Sequence, residues 1–236
     1  MTKDSEIGIS RQGLAQGDLR RMITQAGGGH LLLDDDQLAR SLAAVRPPDA
    51  DCWVFAYGSL MWNPLFHPVE RLPGRLPGYH RRFCFWIHAG RATPQQPGMM
   101  MALMPGGSCR GVLLRIAPDQ ADAELKLLWQ REMVVGTYVP RLLPVRTPEG
   151  TVQAITFVAN PRHPFFVANL SVECVAKAIA QAVGPLGRNR DYLHRTVETL
   201  REMGIPDQGL ERLDQAVRSP LAQTDAHDYG ARVIGE

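Results

Sequence analysis

The stretch Cys52-Trp53-Val54-Phe55-Ala56-Tyr57-Gly58-Ser59-Leu60-Met61-Trp62 decides how the rest of the chain is read. Its first half is apolar and β-favouring, so Trp53 to Phe55 reads as a strand. The strand breaks at Gly58-Ser59. Glycine lets the backbone turn and lets another group approach the main chain closely. Ser59 adds a hydroxyl, and a turn here frees backbone N–H groups that a strand ladder would consume. A buried strand ending in a small polar turn can set donors at the floor of a pocket. The same pattern also serves as a plain strand and turn.

Upstream, residues 1 to about 30 are polar, carry Gly27-Gly28-Gly29, and read as loosely ordered or draped on the surface. Asp34-Asp35-Asp36 precede a helix over Gln37 to Val45, which Pro47-Pro48 stops. Residues 1–50 thus form a partly helical extension, and residues 51–236 the main domain. Downstream, Pro64 to Gly78 is a stretch punctuated by Pro and Gly, and Arg81 to His88 a strand. Met99 to Met104 and Arg110 to Ile116 read as two strands joined by a hairpin at Gly106-Gly107. Asp119 is expected to cap a helix reaching Met133. Pro140 to Val145 and Thr151 to Val158 are strands around Pro148-Glu149-Gly150. Helices over Ser171 to Val183, from a capping Asn189 to Gly204, and over Gln208 to Val217 close the chain. Strands first and helices later predict an α+β protein, a small mixed β-barrel or strongly curved sheet flanked by helices.

Composition narrows the function. Of 236 residues, 44% are hydrophobic and 21% charged, enough apolar mass for a real core. The 26 basic and 24 acidic residues leave a net charge of +2 without a block of like charge, which argues against a nucleic-acid partner. Cys52, Cys84, Cys109 and Cys174 form no C-x-x-C pair, as expected of reduced thiols in a cytosol rather than a zinc ribbon or disulfide framework. The apolar runs are too short to span a bilayer. The first residues carry Asp4 and Glu6 and no apolar signal core, so the expected location is the cytoplasm. No histidine spacing suggests a metal site, and His163, inside Pro161-Arg162-His163-Pro164, reads as a solvated turn residue.

One acid breaks the pattern. On the helix after Asp119, Leu125, Leu128 and Trp129 fall at i, i+3 and i+4, and i+7 is Glu132. An unpaired buried carboxylate costs several kcal/mol. Either Glu132 is paired, or its pKa is raised and it can act as a general base; a helix-end glutamate reaching solvent is the third reading. Arg131 points about 100° away around the helix and is not the obvious partner. A thiol pair of Cys84 and His88 lies about 13 Å apart along a strand, too far to hydrogen-bond.

At these residues the chain resembles a known family. Trp53 to Pro64, Pro77 to Phe83, Arg91 to Pro94 with Pro97-Gly98, Trp129 to Met133 with Gly136-Thr137-Tyr138, and Gly184 to Asn189 with Tyr192-Leu193 are similar, in order, to the conserved blocks of the ChaC-like γ-glutamylcyclotransferases. The resemblance spans about residues 51 to 203. It implies an enzyme that cleaves γ-glutamyl compounds, glutathione above all, by cyclisation to 5-oxoproline, without a metal or organic cofactor. It implies Glu132 as catalytic acid/base and the turn Ala56, Tyr57, Gly58, Ser59, Leu60 and Met61 as the binder of the γ-glutamyl group. The ring of Tyr57 or Tyr138 walls the site or packs in the core. The chain departs from the family at Met99, where an arginine is usual, and at Gln95, where a small residue is common. A module of the same fold that holds a γ-glutamyl compound or amine without turning it over is the alternative.

Overall fold

The computed structural model describes residues 9–47 and 52–223. The expected helix stop at Pro48, the boundary at residues 50–51 and the first eight residues lie outside the described residues. Five strands close a barrel: β1 (Cys52–Ala56), β2 (Glu70–Ile87), β3 (Gly98–Ile116), β4 (Tyr138–Thr147) and β5 (Gly150–Ala159), in the order β1-β3-β2-β4-β5 with β5 returning to β1 and β3. β1 runs antiparallel to β3 and parallel to β5, so the sheet is mixed. Every residue of β1 is buried, since one face fills the barrel and the other lies under helices. That is why the run from Trp53 to Ala56 shows no polar alternation.

Two expectations about the strands need correction. The strand expected from Arg81 begins at Glu70, inside the stretch punctuated by Pro and Gly, and Gly106-Gly107 is not a hairpin turn. β2 and β3 are single strands of 18 and 19 residues, paired along nearly their whole length. Pro77 pairs with Ser108 and Tyr79 with Pro105, so Gly78 on one strand faces Gly106 and Gly107 on the other. All three have positive φ. The glycines form a bulge that bends the ribbon without ending it. The true connection is residues 88–97, beside the cavity described below.

A second glycine pair closes the barrel. Gly74 sits opposite Gly111. A Cβ on Gly111 would lie 2.4 Å from the Ala56 carbonyl oxygen, and one on Gly74 would lie 2.8 Å from Val145 Cγ1. The gap left by two absent side chains is where β1 and β4 pass close to the ribbon. The neighbouring pair Arg75–Arg146 is where β2 meets β4.

Helices cover the outside. α1 (Arg11–Ala15), α2 (Asp18–Gln25) and α3 (Asp35–Ala43) precede the barrel, so residues 9–43 are largely helical rather than loosely ordered. Asp34 caps α3 in a reciprocal box with Gln37. α4 (Ala121–Glu132) follows a short turn that contains Asp119, so Asp119 is not its cap. α5 (Val172–Gln181), α6 (Asn189–Glu202), α7 (Gln208–Arg218) and the short α8 (Pro220–Gln223) complete the described chain. Ser171 caps α5 and Asp207 caps α7. Asn189 does not cap α6: its amide donates to Met99 O and accepts from Met99 N, at 3.0 and 2.8 Å. That two-way bond ties the start of α6 to the start of β3.

Replacing Gly111 with Ala is expected to lower stability by about 1–3 kcal/mol, the usual cost of overpacking. Urea unfolding followed by circular dichroism measures it; an unshifted midpoint would show that β1 can move aside freely.

Candidate active site

The turn after β1 and the end of α4 face each other through one side chain. After Ala56 the backbone enters a single 3-10 turn, Ser59–Met61. That turn's own bonds are donated by Met61, Trp62 and Asn63, so it takes no donor from Gly58, Ser59 or Leu60. α4 buries Leu125, Leu128 and Trp129, with the Trp129 ring edge-on to Phe157 of β5. The same stripe carries Glu132 inward as the last residue of the helix.

Glu132 keeps only 14% of its side-chain surface. Its partner is Arg131, the neighbour that helix geometry had set aside. Arg131 Nε lies 3.0 Å from Glu132 Oε1, and its other nitrogens donate to Ser59 Oγ at 2.7 Å and to Asn63 O at 2.6 Å. The arginine stem is long enough to fold back across the helix end. One planar guanidinium thereby binds the carboxylate and both ends of the opposite turn. Burial pushes the Glu132 carboxyl above its usual range, and the Arg131 charge opposes that rise. The negative end of the α4 dipole also disfavours an anion there.

Ser59, Arg131 and Glu132 open on a cavity of about 610 Å³, within the range of small-molecule sites. Tyr138, Tyr192, Asn189 and Arg91 line it with them. Tyr138 donates to Met101 O at 3.0 Å, so its hydroxyl is occupied and its ring forms wall. Burial pushes the Tyr192 hydroxyl up to about 12, so it stays protonated. A Cβ on Gly58 would lie 3.0 Å from that hydroxyl, which puts Tyr192 directly against the turn. Arg91 donates to Arg188 O at 3.2 Å, and among the described residues no carboxylate lies within ion-pairing distance of it. Burial lowers its pKa, while Asp191 pulls it back up.

Of the residues expected at the site, Ser59, Glu132 and Tyr138 face the cavity. Gly58 is buried beneath Tyr192. Ala56, Tyr57, Leu60 and Met61 are core residues behind the turn. The Tyr57 hydroxyl donates to Phe157 O at 2.8 Å, and Arg81 holds the Tyr57 carbonyl at 2.6 Å. Met99 is fully buried, its main chain held by Asn189. His163 is also buried rather than solvated, bridging Val135 O and Phe165 N. Cys84 is a core thiol that burial pushes up to about 12. Arg91, Tyr192 and Asn189 were given no site role from the sequence, though all three sit in blocks that carry the family resemblance.

A model of the ChaC-like protein family matches residues 52–220. A glutathione-specific γ-glutamylcyclotransferase of Escherichia coli is 43% identical over 197 residues, covering 82% of this chain and 85% of the relative. Glutathione-specific γ-glutamylcyclotransferase 1 of Danio rerio is 34% identical, covering 66% and 81%. In fold, the chain is similar to a crystal structure of a γ-glutamyl cyclotransferase specific to glutathione from yeast. The TM-score is 0.66 and the identity 23%, over 72% of this chain and 96% of that one. No described helix is long and apolar enough to cross a membrane.

Because folding raises the Glu132 pKa, the group favours the folded state most below the ordinary value of 4.5, and that contribution is lost as pH rises through the folded value. Carbon-13 NMR of the Glu132 carboxyl is expected to titrate above 4.5, and higher still in Arg131→Met, where burial acts unopposed. A midpoint that falls in the variant would show that Arg131 is not its counter-charge.

Proposed function

The chain belongs to the ChaC-like family, and from that premise we propose that it cleaves glutathione by cyclising the γ-glutamyl group to 5-oxoproline and releasing cysteinylglycine. The observation that carries this reading is the largely enclosed Glu132 carboxyl, linked through Arg131 to the Ser59 turn on one cavity. In the reaction the substrate's α-nitrogen attacks its own γ-carbonyl. A C–N bond forms, the amide C–N bond to cysteinylglycine breaks, and no water or co-reactant enters. Nucleophile and electrophile belong to one molecule, so the pocket needs only to select its bent form.

The α-amine is mostly protonated at neutral pH, as free α-amines are. Glu132 takes a proton from it and hands one to the departing nitrogen. A carboxyl raised by burial suits both halves of that transfer, because its proton affinity moves toward that of the nitrogens it exchanges protons with. Arg131 keeps it aimed at the turn. The carbonyl oxygen gains charge as the ring closes, and the backbone N–H at Ser59, which the turn's own bonds do not use and which belongs to the one turn residue of Gly58 to Leu60 that lines the cavity, is the donor for it. Tyr138 and Tyr192 shape the walls around the glutamyl chain. Arg91, a half-buried cation that among the described residues hydrogen-bonds a carbonyl and no carboxylate, takes the α-carboxylate. All four cysteines are free thiols, which supports a reducing compartment and a cytoplasmic location.

Glu132→Gln is expected to keep the fold and lose 5-oxoproline formation from glutathione by about 10²–10⁴-fold. A variant as fast as wild type would refute the assignment. Arg91→Ala is expected to raise KM for glutathione about ten- to a hundredfold, the loss of a charged hydrogen bond, with kcat much less affected. Steady-state kinetics on both proteins separates the two effects.

A further inference from the structure

The cavity is not closed by the barrel domain alone. Ile9, Leu19, Ile23, Gly28, His30 and Leu31, all from the segment before β1, line it together with the catalytic end. The family match begins at residue 52, so this wall lies outside it. We propose that residues 9–33 form the outer wall of the site and set which leaving amine it accepts.

The segment is held in place by strong, directed contacts to the element that carries Glu132. Arg11 makes two bonds, at 2.5 and 3.0 Å, to Glu124 of α4, whose side chain is only 5% exposed. A buried carboxylate left without that partner is costly, so the arginine cannot be dispensed with cheaply. Leu33 N donates to Val134 O at 3.0 Å, two residues beyond Glu132, and Arg20 donates to Leu33 O at 2.9 Å. Trp129 Nε1 donates to Ser41 Oγ at 2.8 Å, fixing α3 to the same helix. The wall therefore stands at a fixed distance from the reacting end.

The chemistry of the wall points to the part of the substrate it meets. Ile23 is buried, while Leu19 and Leu31 are partly exposed with apolar side chains turned to the cavity. Trp62 and His88 line the same cavity. Burial lowers the His88 pKa, which favours the neutral ring. An apolar wall of Leu19, Ile23 and Leu31 does not suit the charged glutamyl end, which Arg91 and Glu132 take, and suits the small, soft side chain of a leaving peptide. A cysteinyl unit has that form; a long alkyl group on its sulfur would run into Ile23 and Leu31.

This inference rests on the glutathione-cleaving reading above. The test compares kcat/KM for glutathione and S-hexylglutathione in wild type, in Ile23→Ala/Leu31→Ala and in Leu31→Ala alone. Gln25→Ala, exposed on α2, serves as the control. Wild type should prefer glutathione, and removing the wall should shift the ratio toward the S-hexyl compound by about tenfold. A merely structural role would lower both values together and leave the ratio fixed, which overturns the inference while the reading stands. The single Leu31 variant keeps the test valid if the double variant unfolds. A wild-type protein that releases no 5-oxoproline from glutathione overturns the reading and this inference with it.

Discussion

One guanidinium holds the site together. Arg131 bonds Glu132, Ser59 and Asn63 at once, joining the end of α4 to the turn after β1. Arg131 lies 72 residues from Ser59 and 68 from Asn63, so neither segment has a local reason to face the other. Breaking a buried pair of this kind costs about 3–5 kcal/mol, because an uncompensated charge remains. The carboxylate stays enclosed but not isolated, and its proton affinity is set by two opposed effects rather than by burial alone.

The barrel supplies the distance over which that guanidinium reaches. Its closure depends on emptiness as much as on packing: Gly74 and Gly111 leave room for β1 and β4, and Gly98 lets Asn189 and Ala182 approach β3. A Cβ on Gly98 would lie 2.7 Å from Asn189 Oδ1. With α6 docked there, Tyr192 comes to rest over Gly58. The segment before β1 then leans on α4 through Arg11 and Ser41 and on Val134 just beyond it through Leu33, so the site is enclosed by elements from both sides of the barrel strands in sequence.

Where sequence reading failed, it failed for a common reason. Pro and Gly in residues 64–78 and at 106–107 have strong local turn preferences. In the ribbon, matched bulges on the two strands absorb them, and long-range pairing overrides the local preference. Asn189 stands where a cap belongs, yet its amide is spent on Met99 across 90 residues. Arg131 was set aside by counting degrees around a cylinder, but a flexible side chain at a helix end is not bound by the angle of its Cα. His163 sits among prolines and still becomes buried, because Val135 and Phe165 satisfy both of its nitrogens.

The order of strands and helices, the buried run of β1, the inward aim of Glu132 and the glycine–serine turn were written in residue types and spacing. Those are local properties, set by backbone preference and by the period of apolar side chains. Which residues meet was not written there. The partner of Glu132, the cation at Arg91, the hold of Asn189 on β3 and the placing of residues 9–33 over the cavity all depend on contacts between distant segments. Only the closed barrel brings those segments within hydrogen-bond reach, and no local pattern encodes a distance that exists only after the chain has folded.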